Sequence, residues 1–492
     1  MKKKIWILPL VLSAIVAIVA FAFHYSVNIE NALTLQPEAD FEIQVSGLRI
    51  VFEPVLGVLM YFNRAFYALD ETMVLLYWLL GLFALYTLVQ SIRQKGKTQV
   101  KRFLVSQLLN LPVLVGLWFA FLVILIFVPL HNDRIINKTT DWVLVNTHSH
   151  TEFSHDGLIS QEGLWKWHQR NGFDAFFITE HNNHNRTIEF VNRQRNNEFP
   201  GEPAVFCGEE FSGSNHLSLL GLKTDFNTKG LSDSVVVAKA RAEGAAIIVN
   251  HWFDGERKTL EYYRDLGADG FEIENTATDK RYDREVYHRI KTFCENNGLI
   301  MNGGVDFHGY GSVCTLWNAF EIPGWDDMNF QAKEEAILNI IKTRDQSKLK
   351  VLLLNDRPYY EKENLFFRPL VTIFNYFRTL NILQVLSWVF WILLFTYLSF
   401  KINSNSNLAQ KYSCSRMLPV SGILASLFLL GFGLVYHFRV QDVQGFTEMY
   451  AEYSRILIFA GAALLVFSGL NMFFRNPFFT KKPPAPRTDG SF

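Results

Sequence analysis

Histidines and carboxylates gather where apolar runs of strand length stop. His148 and His150 follow the run 142–147 as His-x-His, and Asp156 comes next in Ser154-His155-Asp156-Gly157. Glu180-His181 closes the run 175–179, and Glu209-Glu210 follows 204–208. His216 precedes 217–222, His251 closes 245–250, and Asp306 and His308 form Asp-x-His after 300–302. Residues two apart in extended chain share a face, so each pair can aim at one ion, provided the extended geometry continues there. Imidazole together with carboxylate suits zinc, manganese or iron. Any one of these histidines alone is most simply a satisfied polar residue. Five strand ends that all close in His, Asp or Glu are what a multinuclear site requires. Ten of the 13 histidines lie in this middle segment.

The elements that must position them alternate. Strands are predicted at 142–147, 175–179, 204–208, 217–222, 245–250, 271–274, 300–302 and 350–354. Helices are predicted at 160–171, with Ser160 as N-cap and Gly172 after its end, at 232–243 closed by Gly244, and at 279–297 and 330–344. Alternating βα units imply a parallel sheet, and such sheets gather ligands at the carboxyl ends of their strands.

Motif by motif, about 200 of the 492 residues resemble the PHP (polymerase and histidinol phosphatase) domain. His148-Ser149-His150-Thr151 with Ser154-His155-Asp156-Gly157 resembles its first motif. Thr179-Glu180-His181-Asn182 resembles Thr-Asp-His-Asn, with Glu180 in place of Asp. Gly208-Glu209-Glu210-Phe211-Ser212 resembles Gly-x-Glu, and His216 fits the His motif that follows. Val249-Asn250-His251-Trp252 resembles His-Pro, with Trp252 where proline is usual. Gly304-Val305-Asp306-Phe307-His308 resembles Ser-Asp-x-His, with Val305 in place of Ser. The resemblance implies an α/β fold, a distorted (β/α)7 barrel, and metal-dependent phosphoesterase chemistry with two or three divalent ions. It implies one ion on His148, His150, Glu210 and Asp306, and a second bridged by Glu210 and held by His216 and His251. A third falls to His181 and His308 with Asp156, which is preferred over its neighbour His155. Glu180 is expected to orient a liganding histidine.

Clustered dications make hydroxide available near neutral pH and stabilise charge on the phosphoryl group, so no nucleophilic side chain is needed. Neither Gly-x-Ser-x-Gly nor a P-loop is present, and Cys207, Cys294 and Cys314 read as structural. His148, Glu210 and Asp306 are the expected catalytic centre, with His184 as candidate general acid. Arg186, Arg257, Lys258, Lys280 and Arg281 are candidate contacts to a phosphorylated small-molecule substrate, each weighed against an ordinary solvated charge. Trp252 is a candidate pocket wall, with packing the simpler role.

The rest of the chain is of another kind. With 47 basic and 47 acidic residues the net charge is zero; 49% of residues are hydrophobic and 19% charged, against about a quarter charged in soluble chains. That balance excludes a disordered chain and a broadly basic nucleic-acid binder, and four cysteines exclude a disulfide scaffold. Six uncharged runs, 5–23, 72–90, 103–130, 379–400, 417–438 and 456–474, are each long enough for a helix across about 30 Å of hydrocarbon. The first reads as a retained anchor after Lys2, Lys3 and Lys4 rather than a cleaved signal. Basic residues fill the loops 91–102 and 401–416 and the tail, whereas 30–71 and 439–452 are mostly acidic. The positive-inside rule then puts both termini in the cytoplasm and the segment 138–360 outside it. Residues 54–63 read as an interfacial or re-entrant helix, 364–378 as a juxtamembrane segment and 477–492 as a disordered tail. Three alternatives stay open: a metal-dependent sensor or scaffold subunit in a membrane complex, a PHP-type nuclease, and a transporter, the last disfavoured by the near absence of charge in the spans.

Overall fold

The computed structural model describes residues 6–63, 65–94, 96–130, 133–252, 258–276, 284–311, 313–357, 364, 366–403 and 414–475, with backbone alone at 65–71, 403, 414–416 and 475. The chain divides into two compact units. One is Met1–Glu71, Leu125–Leu393 and Asp442–Met449; the other is Thr72–Ile124, Leu394–Gln441 and Tyr450–Phe492.

Among its described residues the first unit has thirteen strands: β1 Asn28–Asn31, β2 Gln36–Pro37, β3 Phe41–Gln44, β4 Arg134–Asn137, β5 Trp142–Asn146, β6 Ala175–His181, β7 Ala204–Ser212, β8 His216–Leu220, β9 Ala246–Val249, β10 Gly270–Asn275, β11 Ile300–Gly304, β12 Leu316–Glu321 and β13 Leu349–Asn355. Eleven of these form one sheet in the order β11-β10-β9-β8-β7-β6-β5-β12-β13-β1-β2, and β3 pairs with β4. The sheet is mixed rather than parallel. β5, β6 and β7 run parallel, as do β9, β10 and β11, but β8 is antiparallel to both its neighbours. Residues 213–215 between β7 and β8 are far too few for a crossover, which takes a dozen or more, so β8 must turn back on β7. Of the expected (β/α)7 barrel, the structure shows the mixed α/β character and one large sheet. Between the segments after β5 and β11 the pairing is an isolated bridge, Ser149 with Phe307.

The alternation of side chains along the strands sorts the core. Val143, Val145, Ala175, Phe177, Ala204, Phe206, Leu220, Ala246, Ile248 and Ile300 lie in one apolar cluster, with Ile337 and Ile341 of the helix Phe330–Thr343 packed against them. Leu144, Phe176, Ile178, Val205, Cys207, Leu219, Ile247 and Val249 lie in the other. The helix Gln161–Arg170 begins where the Ser160 hydroxyl accepts a bond from the Gly163 amide, 3.2 Å, as its cap position predicts. The predicted helix 279–297 is described from Arg284 to Asn297.

Among the described residues, five helices are long and apolar enough to cross a membrane: Thr72–Arg93, Lys97–Phe127, Ile382–Ile402, Met417–Asp442 and Glu448–Phe474. The first uncharged run forms Ile7–Ala22, 16 residues. At a rise of about 1.5 Å per residue that helix is some 24 Å long, short of the hydrocarbon thickness. Residues 54–63 and 364–378 yield the helices Glu53–Phe62 and Arg368–Arg378. Within the second unit small and polar residues carry helix contacts: the Ser426 hydroxyl donates to the Gly461 carbonyl at 2.7 Å, and the Asn471 amide to Asn110 at 2.9 Å.

Candidate metal centre

Along one face of the sheet the residues change from apolar to metal-binding in type as each strand reaches the same end. The series are Ala175-Phe177-Thr179-His181 in β6, Ala204-Phe206-Gly208-Glu210 in β7, and Ala246-Ile248-Asn250 through the end of β9. β8 runs the other way, so its first residue, His216, lies opposite Ser212 at that same end. Backbone pairing continues past β5 and β11, although the chain leaves extended geometry at Asp306 itself. The Asp306 amide donates to the His148 carbonyl and the His150 amide to the Phe307 carbonyl, both at 2.9 Å, which brings His-x-His beside Asp-x-His. Asp306 (φ 52°) and His251 (φ 24°) take positive φ, a cost that residues other than glycine bear mostly where a site requires it.

Nine side chains named from the sequence meet here: His148, His150, Asp156, His181, Glu210, His216, His251, Asp306 and His308. His148 Nε2 lies 3.2 Å from Glu210 Oε1 and 3.2 Å from Asp306 Oδ1; His150 Nε2 lies 3.3 Å from Glu210 Oε2 and 3.2 Å from Asp306 Oδ1. His216 Nδ1 and His251 Nε2 are 3.1 and 3.2 Å from Glu210 Oε1. The Asp156 Oδ2 atom is 3.4 Å from His181 Nε2 and 3.3 Å from His308 Nε2. Asp156 sits inside the group; the His155 side chain, 67% exposed and 3.9 Å from Asp156, forms a further candidate set with Asp156 and His181 at its edge.

The spacing fits metal ions. Ligand atoms about 2.1 Å from a common ion lie about 3.0 Å apart at octahedral angles and about 3.4 Å apart at tetrahedral ones, and the contacts above span that interval. Four buried atoms, Asp156 Oδ1, His181 Nδ1, Glu210 Oε2 and His308 Nε2, make no hydrogen bond. His181 Nδ1 and Glu210 Oε2 approach to 3.0 Å without the alignment of one. Buried polar atoms left this way are costly unless something else satisfies them, and a shared cation does.

The histidine rings are oriented for that role. His148 Nδ1 donates to Glu272 Oε1 at 2.7 Å, and His308 Nδ1 to the Asp306 carbonyl at 2.8 Å. The Ser154 hydroxyl donates to Glu180 Oε2 at 2.6 Å, so it accepts from His150 Nδ1 at 3.0 Å. All three rings thus turn Nε2 to the cluster. Glu180 acts on His150 only through Ser154, and it also accepts from the Thr151 amide at 3.1 Å. The Asn250 amide group donates to Glu210 Oε1 at 2.8 Å.

Glu272 was not singled out in the sequence. Its second oxygen accepts from the His251 amide at 2.9 Å, so one buried carboxylate fixes two candidate ligands. The available signal was the alternation Phe271-Glu272-Ile273-Glu274, two acids on one face of a strand whose other face is core. Glu272→Gln is expected to lower metal affinity about 10- to 100-fold, the usual cost of losing such a partner. Metal content after dialysis at a buffered free-metal concentration measures it, and unchanged content argues against the role.

The electrostatics agree. Burial opposes charge on His148, but Asp306, Glu210 and Glu272 outweigh it and raise its pKa well above the ordinary imidazole value. Against the same burial, Glu210 and Asp156 raise His181 to about 10, and Glu210, Asp306 and Glu272 raise His251 to about 9. His150 is lowered by burial and by the neighbouring His308 and His181. Glu210 and Asp306 are held well below the carboxylate range despite burial, chiefly by His148. Protons on histidines here occupy the place of cationic charge.

Other named residues lie elsewhere. His184 has both ring nitrogens engaged, Nδ1 with Glu209 and Nε2 with the Thr224 carbonyl at 2.8 Å, which turns it away from any leaving group at the cluster. Arg186 is half exposed and pairs with Glu189 at 2.7 Å. Lys258 is exposed, its ammonium 5.5 Å from the Tyr262 ring centroid. Arg257, Lys280 and Arg281 lie outside the described residues. Trp252 is buried under the Arg289 guanidinium, 4.7 Å from its ring centroid. His168 is a structural histidine, stacked on Phe176 at 3.8 Å, and burial lowers its pKa to about 3. Cys207, Cys294 and Cys314 are free and buried, and burial raises all three thiols, Cys294 to about 12.

No family model matches the chain, and no curated protein does. Among solved structures it is similar to a two-domain protein from Bacteroides vulgatus containing a predicted PHP-like metal-dependent phosphoesterase, at 17% identity and a TM-score of 0.34, over 43% of this chain and 65% of that one. It is similar to a candidate metal-dependent phosphoesterase from Bifidobacterium adolescentis, at 16% identity and a TM-score of 0.28, over 34% of this chain and 88% of that one. It is also similar to PsfC from Pseudomonas syringae, at 17% identity and a TM-score of 0.31, over 48% of this chain and 97% of that one. At low identity and over part of its length, the chain has PHP-like metal-dependent phosphoesterases among its structural neighbours.

Proposed function

We propose that this protein is a membrane-anchored, metal-dependent phosphoesterase that hydrolyses a phosphate ester at a site for two or three divalent ions, zinc, manganese or iron. One observation carries the reading: nine His, Asp and Glu side chains converge with contacts of 3.0–3.4 Å at one end of the sheet. His148, His150, Glu210 and Asp306 would hold one ion, His216 and His251 with Glu210 a second, and Asp156, His181 and His308 a third. The supporting framework is a distorted (β/α)7 barrel whose seam is the Ser149–Phe307 bridge. Ions bound there supply a nucleophile from water near neutral pH and neutralise the phosphoryl oxygens. The protein's part is to hold the ligands in place and to set the orientation of their rings. Glu272, Ser154 and the Asp306 carbonyl each take an Nδ1 proton, so that each Nε2 presents a lone pair.

The same reading keeps both termini in the cytoplasm and the catalytic segment outside, which requires the helix Ile7–Ala22 to cross with the five longer ones. The basic loops 91–102 and 401–416 support it. A reporter fused near Gly230 is expected to read external.

The direct test is a screen of phosphomonoesters and phosphodiesters with purified full-length protein loaded with manganese or zinc, and His148→Ala as control. Hydrolysis that is lost in the variant is expected. Failure across the panel with metal demonstrably bound removes the proposal and favours a metal-dependent sensor.

A further inference from the structure

Two loops that carry candidate ligands are tied by backbone hydrogen bonds to the ends of apolar helices. The Gly311 amide donates to the Ile126 carbonyl at 2.8 Å. Gly311 is three residues beyond His308, and Ile126 is the penultimate residue of the candidate span Lys97–Phe127. The second tie comes from another part of the chain. The Phe446 amide donates to the Glu152 carbonyl at 2.7 Å. Phe446 lies in the connection between the helices Cys414–Asp442 and Glu448–Arg475, and Glu152 stands between His150 and Asp156. The approach is close enough to need glycine beside it, since a Cβ on Gly445 would meet the Glu152 oxygen at 2.1 Å.

Chain reach turns these ties into a distance. Three residues span at most about 10–11 Å, so His308 is within that distance of Gly311 and four residues keep Asp156 within about 14 Å of Glu152. The polar layer on each side of a bilayer is about 5–7 Å deep. Both reaches are at most about twice that depth, so the ligands lie within about 14 Å of the residues bonded to Ile126 and Phe446. The surroundings are apolar on that side. Asp306 and His308 border a recess walled by Trp167, Val305, Phe307, Tyr310 and Val313, with the Tyr310 ring stacked 5.9 Å from His308. Phe446 is 42% exposed in the connection between spans.

We infer that the substrate is a membrane-resident amphiphile, a lipid phosphate ester presented to the cluster from the bilayer surface rather than delivered from water. The inference rests on the phosphoesterase reading and on the apolar helices spanning a membrane. In the reaction water adds its oxygen to phosphorus and the bond from phosphorus to the lipid oxygen breaks. The lipid oxygen keeps the electron pair and takes a proton, giving an alcohol and the phosphate product. Tethering explains a use for several spans where one would anchor, because the ends of two separate parts of the membrane region hold the ligand loops.

The test pairs each lipid ester with its water-soluble headgroup: dioleoyl phosphatidate against glycerol 3-phosphate, and dioleoyl phosphatidylglycerol against glycerophosphoglycerol. Full-length protein loaded with manganese is assayed in mixed micelles of a non-ionic detergent. For at least one pair, kcat/KM is expected to favour the long-chain member by tenfold or more. The rate should also fall as detergent dilutes the lipid at constant bulk concentration. Equal or better hydrolysis of the soluble member, or indifference to surface dilution, overturns the inference and leaves the phosphoesterase reading standing. Hydrolysis of neither member in any pair, nor of any other ester, overturns both.

Discussion

Replacing Glu210 with glutamine is expected to lower phosphoesterase turnover by about 10³-fold, roughly 4 kcal/mol of transition-state stabilisation, and to reduce bound metal. Among the described residues, no other side chain touches so many candidate ligands. Its Oε1 lies 3.2 Å from His148, 3.1 Å from His216 and 3.2 Å from His251, and its Oε2 lies 3.3 Å from His150 and 3.0 Å from His181. Glutamine keeps the shape, and its amide oxygen still accepts from Asn250, so the strand should fold as before. What is lost is a buried negative charge shared between two ion positions, and what is gained is an N–H pair aimed at imidazole nitrogens or at a cation. The neighbouring position supplies the control. Glu209 faces the other side of β7, where it binds His184 and accepts from the Thr228 hydroxyl at 2.5 Å. Glu209→Gln is expected to cost stability through a weakened buried pair and to leave metal content intact. Turnover at saturating substrate and metal analysis of both variants decide the matter. Wild-type turnover and full metal content in Glu210→Gln would remove Glu210 from the centre.

That contrast also marks what a sequence can and cannot disclose. Continuous apolar runs of strand length, each ending in His, Asp or Glu, make the strands and their ligand-type ends legible, because residue type and strand-end position are local properties. Which of Glu209 and Glu210 faces the cluster follows from parity once β7 begins at Ala204. Contacts between distant segments were not legible in this way. β1 is a polar four-residue segment, Asn28-Ile29-Glu30-Asn31, whose strand character comes from pairing with β13, Asn28 opposite Asn355. Nothing in its composition signals that partner. β12, Leu316–Glu321, is apolar enough to read as a strand, but its place between β5 and β13 is set by antiparallel pairing with segments far off in the chain. His184 looked available as a proton donor because it follows a ligand motif, yet it faces the Glu209 side of the sheet. Arg186 was a plausible anion contact by position, but Glu189, three residues on, is near enough on the helix surface to take its charge. Glu272 illustrates the intermediate case: its strand was predicted, and its role depended on a histidine 124 positions earlier.

Metal uptake is expected to release protons, and its apparent affinity to rise steeply with pH. In the metal-free protein His181 titrates near 10 and His251 near 9, both raised by the carboxylates around them against the opposing effect of burial. At pH 7 both rings therefore carry protons that a cation must displace, because a liganding imidazole is neutral. Each displaced proton makes the apparent binding constant tenfold stronger per pH unit. These two protons alone give about a hundredfold per unit between pH 7 and 9, His148 adds to that, and the dependence flattens as the folded-state values are passed. The same shifts govern the metal-free fold with the opposite sign. A histidine whose pKa is raised on folding stabilises the folded state fully below its unfolded value, about 6.5, and that contribution is lost as pH rises through 9 and 10. The loss leaves Glu210, Asp306, Asp156 and Glu272 close together in a buried site with fewer positive charges among them. Stripped protein is therefore expected to unfold more readily at pH 10.5 than at pH 7, while the metal-loaded protein shows no such loss, because bound dications replace the protons. Competition with a chelator of known affinity across pH 6 to 10, with thermal unfolding of both forms at a fixed scan rate, tests the two halves together. An affinity that does not change with pH, or a metal-free form that grows more stable on the alkaline side, would show that these histidines are not the groups an ion displaces.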